Sequence, residues 1–177
     1  MCGIAGIIGK SINVSSFDKM LDSLRHRGPD GGGVWKSPST QAILGHRRLA
    51  IIDTSSGGTQ PMCSPDGRFT ITFNGEIYNY LELKKELQHL GHVFISCSDT
   101  EVLLHAYMEW GRQCLEKING MFAFAVWDEY DMSLFAARDR LGEKPFKYYY
   151  DDEKFIFASQ ISTIFGYPGI SRHADWQ

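Results

Sequence analysis

Short runs of apolar, β-branched and aromatic residues recur at residues 4–8, 41–44, 69–73, 121–127, 134–137, 147–150 and 155–158. Their lengths, and the glycines and polar residues that bound them, predict strands. Two stretches switch to a helical period. Tyr80, Leu83, Leu87 and Leu90 share one helical face behind a candidate Asn79 cap, and Gly91 supplies a stop. Ser98-Asp99-Thr100-Glu101 has the spacing of a capping box, and Val102, Leu103, Ala106, Tyr107 and Trp110 form an apolar stripe that ends before Gly111. Phe17, Met20, Leu21 and Leu24 predict a shorter helix. These helices sit between strands without alternating with each one. That arrangement favours an α+β fold, with helices covering mostly antiparallel sheets, over a doubly wound parallel sheet. Glycines at 31–33 and 57–58 predict loops, and Ser64-Pro65-Asp66-Gly67 predicts a turn.

The chain has 177 residues, 43% of them hydrophobic and 13% aromatic, which suits one domain able to bury roughly 70% of its unfolded surface. A formal charge of -3 gives no general attraction to nucleic acid or to an anionic membrane. The four cysteines, Cys2, Cys63, Cys97 and Cys114, are scattered and form no C-x-x-C pair, so a reducing cytoplasm is the simplest compartment. The opening apolar run is short and lacks a basic region, unlike a signal peptide. No apolar stretch approaches the roughly 20 residues of a membrane span. A metal site is disfavoured, because His89-x-x-His92 has no adjacent ligand pair and there is no H-E-x-x-H. Asp128, Glu129 and Asp131 read as a solvated turn between two strands.

The most informative chemical feature is Cys2. Removal of the initiator methionine would leave a thiol and a free α-amine on one residue. An α-amine with an unperturbed pKa of about 7.7–8.0 can exchange a proton with a thiol of pKa about 8.5 near neutrality. A nucleophile would then carry its own base. The alternative is a small buried hydrophobe at the start of an apolar strand. Arg25-His26-Arg27-Gly28-Pro29-Asp30 leaves a helix for a glycine-rich loop and suits an anion, a mobile lid or a solvated helix end. In Gly45-His46-Arg47-Arg48, two arginines stand at the mouth of the apolar run 49–52. A guanidinium there could clamp a carboxylate bidentately or simply face solvent. Asn74-Gly75-Glu76 offers a side-chain amide and a glycine N–H, the donors of an oxyanion hole. It is also a hairpin turn signal, weakened here because a helix follows at Asn79. Asp99 is either a helix cap or a carboxylate facing a ligand amine.

Seven blocks in order carry a resemblance across the chain to about Phe165. They are M-C-G-I at 1–4, R-H-R-G-P-D at 25–30, G-H-R-R-L-A-I-I-D at 45–53, F-N-G-E-I-Y-N at 73–79, S-D-T-E-V at 98–102, N-G-M-F-A-F-A-V-W-D at 119–128 and R-D-R-L-G-E-K-P at 138–145. The chain thereby resembles class II, N-terminal-nucleophile glutamine amidotransferase domains, most closely those of glutamine-hydrolysing asparagine synthetases. Relatives that aminate sugar phosphates or phosphoribosyl pyrophosphate differ in the second and third blocks.

The resemblance implies a four-layer αββα sandwich and hydrolysis of the side-chain amide of L-glutamine through a Cys2 thioester. It implies Asn74 and Gly75 as the oxyanion hole, and Arg48 for the substrate carboxylate. Glu76 and Asp99 would take the ammonium, with backbone help from Ile51 and Ile52. Arg27, Gly28, Pro29 and Asp30 would form a lid over bound glutamine. No cofactor or metal is expected in this domain. ATP and Mg belong to a synthetase domain, in cis or on a partner subunit, and nothing like that domain occurs before Gln177. The expectation is one glutaminase domain over 1–177 with its last ~10 residues a linker, cut from a longer synthetase, although a stand-alone glutaminase is the alternative. No nucleic-acid or membrane partner is expected, and a homodimer is compatible with the reading. A glutaminase of a sugar or cell-envelope amidotransferase, a silent glutamine-sensing or partner-binding module, and a self-processing peptidase are the competing functions.

Overall fold

The structure, a computed structural model, describes residues 1–49 and 56–170. Residues 50–55, which include Ile51 and Ile52, and residues 171–177 lie outside the described residues. In chain order the elements are β1 (Gly3–Gly9), α1 (Val14–Asp22), β2 (Gly31–Lys36), β3 (Ala42–Arg48), β4 (Met62–Cys63), β5 (Phe69–Ile77), α2 (Tyr80–His89), α3 (Asp99–Trp110), α4 (Cys114–Lys117), β6 (Gly120–Asp128), β7 (Ser133–Arg138), β8 (Lys147–Tyr150), β9 (Lys154–Ala158) and α5 (Ile161–Ile164). Two antiparallel sheets result, in the orders β2-β3-β1-β9-β8 and β4-β5-β6-β7.

The period of two sorts each strand's side chains between layers. Ile4, Leu44, Ala123, Ala125, Trp127 and Phe157 meet between the sheets. Ala5, Ile7, Ile43 and Ile156 turn outward to Phe17, Met20 and Leu21 of α1 and Ile164 of α5. On the other side Ile71, Phe73, Ile77, Phe122 and Phe124 cover Leu83 and Leu87 of α2 and Val102, Leu103 and Ala106 of α3. Three cores separate four layers, which is the αββα sandwich.

The helix signals survive with changed details. Ser98 caps α3 by accepting from Thr100 N at 3.2 Å. The buried Glu101 carboxylate does not reach back to the cap. It accepts instead from Ile95 N at 2.9 Å and from Ser96 N at 2.8 Å, tying down the segment before the helix. Asn79 precedes α2 but makes no side-chain capping bond. Its amide bridges Lys117 O at 2.9 Å and Asn119 N at 2.8 Å. Gly91 and Gly111 both sit at positive φ where helices end.

Three local expectations are corrected. Residues 31–33 are not a loop but the start of β2, paired along its length with β3. Glycine is needed there for closeness, since a Cβ on Gly33 would fall 2.3 Å from the Gln60 carbonyl. Asn74, Gly75 and Glu76 lie inside β5, opposite Ala123, Phe122 and Met121, so neither a hairpin turn nor a loop forms there. Asp128 and Glu129 are anchors and not solvated turn residues. Asp128 is buried and paired bidentately with Arg68 at 2.7–3.1 Å. Glu129 accepts from Ser37 Oγ and, at 2.7 Å, from Trp127 Nε1. The charges are held by partners distant in sequence, which a local window cannot see.

Candidate active site

One end of the sandwich gathers chemistry from both sheets. β1 is the central strand of its sheet, paired directly with β3 and β9, and Cys2 immediately precedes it, on the face that Ile4 presents to the opposite sheet. His46 and Arg48 share that facing on β3. Asn74 and Glu76 share it on β5, where the odd-numbered residues turn to α2 and α3. The first turn of α3 brings Ser98, Asp99 and Thr100. Together these residues line a cavity of about 90 Å³ whose wall also includes Met1, Leu49, Gln60, Gly75, Met121 and Lys144.

The Cys2 thiol donates to Leu49 O at 3.5 Å and accepts from Leu49 N at 3.3 Å. Burial pushes its pKa up, opposed by the Leu49 amide, the chain's N-terminal amine and Arg48. Arg27 Nε donates to Cys2 O at 3.0 Å, which fixes the strand's first turn against the 27–30 loop. That loop leans on the end of β3: Pro29 bridges Arg48, and Asp30 N donates to Arg48 O at 3.0 Å.

Gly75 shows how a ladder can leave a donor for a ligand. Its partner Phe122 spends both backbone groups on Asp139, with Asp139 N donating to Phe122 O at 2.8 Å and Phe122 N to Asp139 Oδ2 at 3.2 Å. Backbone groups alternate along an antiparallel strand, so Gly75 N–H points out of the ladder on the opposite edge of β5. On that edge the Gln60 side chain accepts from Phe73 N at 2.6 Å, and Asp99 Oδ2 accepts from Ile77 N at 3.1 Å. Gly75 lies between these two filled positions. A Cβ on it would fall 2.3 Å from Met121 O, so glycine is required.

Buried polar atoms with no partner mark where a ligand belongs. Asn74 Nδ2, Arg27 Nη2 and both ring nitrogens of His46 are buried without a hydrogen-bond partner. Leaving each so costs roughly 1–3 kcal/mol. Burial lowers the His46 pKa to about 3 although the Phe73 carbonyl faces the ring, so this imidazole is neutral at any working pH. Asp99 is displaced the other way, to about 6, chiefly by burial, with the Glu76 charge adding to it and the Ile77 and Thr100 amides opposing.

The structure therefore brings together Cys2, Arg48, Asn74, Gly75, Glu76 and Asp99, with Arg27 behind Cys2 and Gly28, Pro29 and Asp30 at the rim of β3. Ile51 and Ile52 lie outside the described residues. Sequence reasoning did not single out Gln60, which stood in an unremarked Thr-Gln-Pro. It also passed over His46 and Lys144, which lay inside recognised blocks without a role. His89 and His92 do not converge: His89 bonds Lys85 O, while His92 Nδ1 lies 2.9 Å from His105 Nδ1 and its Nε2 2.9 Å from Glu109. Among the described residues no group of three or more His, Cys, Asp or Glu is placed to hold a metal, and no helix is long and apolar enough to cross a membrane.

A cysteine at the head of a central strand in an αββα sandwich is the architecture of N-terminal-nucleophile amidotransferases. Solved structures of this architecture match closely in shape. The glutamine phosphoribosylpyrophosphate amidotransferase of B. subtilis superposes with a TM-score of 0.79 at 24% identity, over 93% of this chain and 43% of that one. Another, described as the allosteric regulatory enzyme of purine biosynthesis, gives 0.80 at 23% identity. Residues 1–177 match the family described as the glutamine amidotransferase domain, and the chain belongs to that family. Among curated relatives, asparagine synthetase [glutamine-hydrolyzing] 3 of Bacillus subtilis is 47% identical over 99% of this chain. A putative asparagine synthetase [glutamine-hydrolyzing] 2 of Methanocaldococcus jannaschii is 40% identical over 97%. The chain spans only 29% and 36% of the length of these two relatives.

Proposed function

We propose that this domain hydrolyses the side-chain amide of L-glutamine through a thioester on Cys2 and feeds the ammonia to a synthetase domain that makes asparagine from aspartate. The observation that carries the reading is the buried, unpartnered Asn74 Nδ2 beside the outward Gly75 N–H, in the same cavity as the Cys2 thiol. Two preorganised donors near a nucleophile suit the oxyanion of acyl transfer, and one such donor is worth about 3–4 kcal/mol in other hydrolases.

With Met1 removed, the α-amine of Cys2 takes the thiol proton as sulfur attacks the amide carbon. Asn74 Nδ2 and Gly75 N–H hold the oxyanion. The protonated amine returns its proton to the leaving nitrogen, releasing ammonia and a γ-glutamyl thioester. Water, activated by the same amine, then releases glutamate. Arg48 holds the substrate carboxylate, while Glu76 and Asp99 take its ammonium, so that the opposed charges of the cavity match an amino-acid zwitterion. The backbone at Ile51 and Ile52 assists, and the 27–30 loop covers the thioester until ammonia has left.

The hydrolytic half-reaction needs no cofactor. ATP and Mg would serve the synthetase half, in cis or in a partner subunit, and the names and greater lengths of the relatives support the existence of such a half. The unpaired state of all four cysteines suits a reducing cytoplasm. The test is intact mass together with glutamine-dependent release of glutamate and ammonia. Loss of one methionine with turnover that Cys2→Ala abolishes is the expected result. Correct processing with glutamine binding but no turnover would favour a glutamine-sensing module.

A further inference from the structure

Lys144 is a buried cation with no described counterion. It is 8% exposed and lines the same cavity as Cys2, yet its ammonium meets no carboxylate among the described residues. Its Nζ contacts Met1 Sδ at 3.7 Å. The backbone holding it is fully engaged: Asp139 Oδ2 accepts from Lys144 N at 3.0 Å, and Arg138 Nε donates to Lys144 O at 2.6 Å. Asp139 also accepts from Glu143 N at 2.8 Å. The side chain is therefore placed by its loop. The placement of this side chain against Met1, with no acidic partner among the described residues, needs a reason.

Met1 supplies that reason by leaving. Five covalent bonds separate Met1 Sδ from the nitrogen of Cys2, so the ammonium stands within roughly 10 Å of the atom that becomes the α-amine. Excision removes the contact at Nζ and creates an amine near a fixed positive charge. A like charge nearby favours the neutral amine, the form that can accept the thiol proton. Among the described residues the other charged or titratable groups beside Cys2 or lining its cavity are Arg27, Arg48, His46, Glu76 and Asp99; the two carboxylates oppose the effect of the Lys144 charge and are the same in every variant compared below.

We propose that Lys144 is a positioning residue of the catalytic amine, whose charge, released from Met1 on maturation, keeps the α-amine of Cys2 in its proton-accepting form. This inference rests on the proposed glutaminase reading, and its test separates the two. The α-amine is titrated directly by competitive acetylation at graded pH with peptide mass detection, in a processed Cys2→Ala background that excludes sulfur acylation and needs no turnover. Adding Lys144→Met raises the midpoint of the amine by about one pH unit, the size expected for one charge at this range in a medium of effective dielectric near 20. Lys144→Arg leaves it in place, and Lys144→Gln repeats the Met result should the Met variant fold poorly. In the Cys2 enzyme, the acid limb of kcat/KM moves upward by the same amount in Lys144→Met, and activity is regained at high pH. An amine midpoint unchanged by removal of the charge overturns the proposal, whatever the turnover. Absence of Cys2-dependent turnover in the wild type counts against the glutaminase reading and leaves the amine titration to decide on Lys144.

Discussion

The thiol of Cys2 is held by both polar groups of one residue, accepting from the Leu49 amide at 3.3 Å and donating to the Leu49 carbonyl at 3.5 Å. The amide favours the thiolate and the carbonyl favours the thiol, so the sulfur is oriented without being committed to either form. Leu49 directly follows β3, the strand that carries Arg48. The nucleophile and the proposed carboxylate clamp are therefore set by one piece of backbone.

Replacing Cys2 with Ala is expected to lower glutamine turnover by more than about 10³-fold while glutamine binding, followed by calorimetry, persists. In the unprocessed chain the raised thiol pKa predicts alkylation by iodoacetamide slower than that of a free cysteine at pH 8, speeding up as the pH rises. Substantial turnover in the Ala variant would remove Cys2 from its role.

Asp99 links pH to both binding and stability. Its folded pKa of about 6 lies above the ordinary 3.8, so it favours the fold fully below pH 3.8 and this contribution is lost as pH rises through about 6. Asp99→Asn should accordingly stabilise the protein by about 1–3 kcal/mol at pH 8 relative to pH 4, read by denaturant melts. The same substitution should raise the KM for glutamine at least 10-fold. In the wild type, protonation of Asp99 should add a step through about pH 6 to the acid limb that the Cys2 amine sets in kcat/KM, and the Asn variant should keep the amine's limb and lack this step. An unchanged KM would leave Asp99 as a residue that only orders Ile77.

Arg48→Lys keeps the charge and loses the planar fork. We expect glutamine KM to rise about 10- to 100-fold with little change in thermal stability. A near-normal KM would count against the carboxylate assignment.

Gly75→Ala places a Cβ 2.3 Å from Met121 O and must push β5 from β6 at that point. The shift displaces the outward N–H, so kcat should fall about 100-fold or more with a smaller effect on KM. Because strain also destabilises the strand, Asn74→Ala serves as a companion that removes the second donor without a clash. Normal kcat in Asn74→Ala would argue against an oxyanion role at this edge.

Much of the site was legible because its residues sit in contiguous blocks whose chemistry shows in their types. Cys2 beside an initiator methionine, Arg48 at the mouth of a short apolar run, and Asn74 next to Gly75 could each be named from the chain. Each also had an ordinary explanation, and their order and the resemblance it carries decided among them. The local context of several was misread. Asn74, Gly75 and Glu76 were expected beyond a strand's end, yet they lie within β5, because the pairing with β6 extends the strand past the glycine. Residues 31–33 were expected in a loop, yet the β3 backbone gives their polar groups a ladder.

The alternation of apolar residues and the helix stops at Gly91 and Gly111 determine by themselves where most elements lie and which faces are buried, since periodicity and backbone freedom are local properties. The sequence alone also offers Cys2 as a nucleophile with its own base. Only the tertiary structure decides that Gly75 N–H faces outward, because that depends on Phe122 spending its backbone on Asp139. It alone decides that Gln60 and Asp99 close the neighbouring amides and that Lys144 stands at Met1. These contacts join residues from 13 to 143 positions apart, and the pairing of two sheets fixes them where no local propensity could.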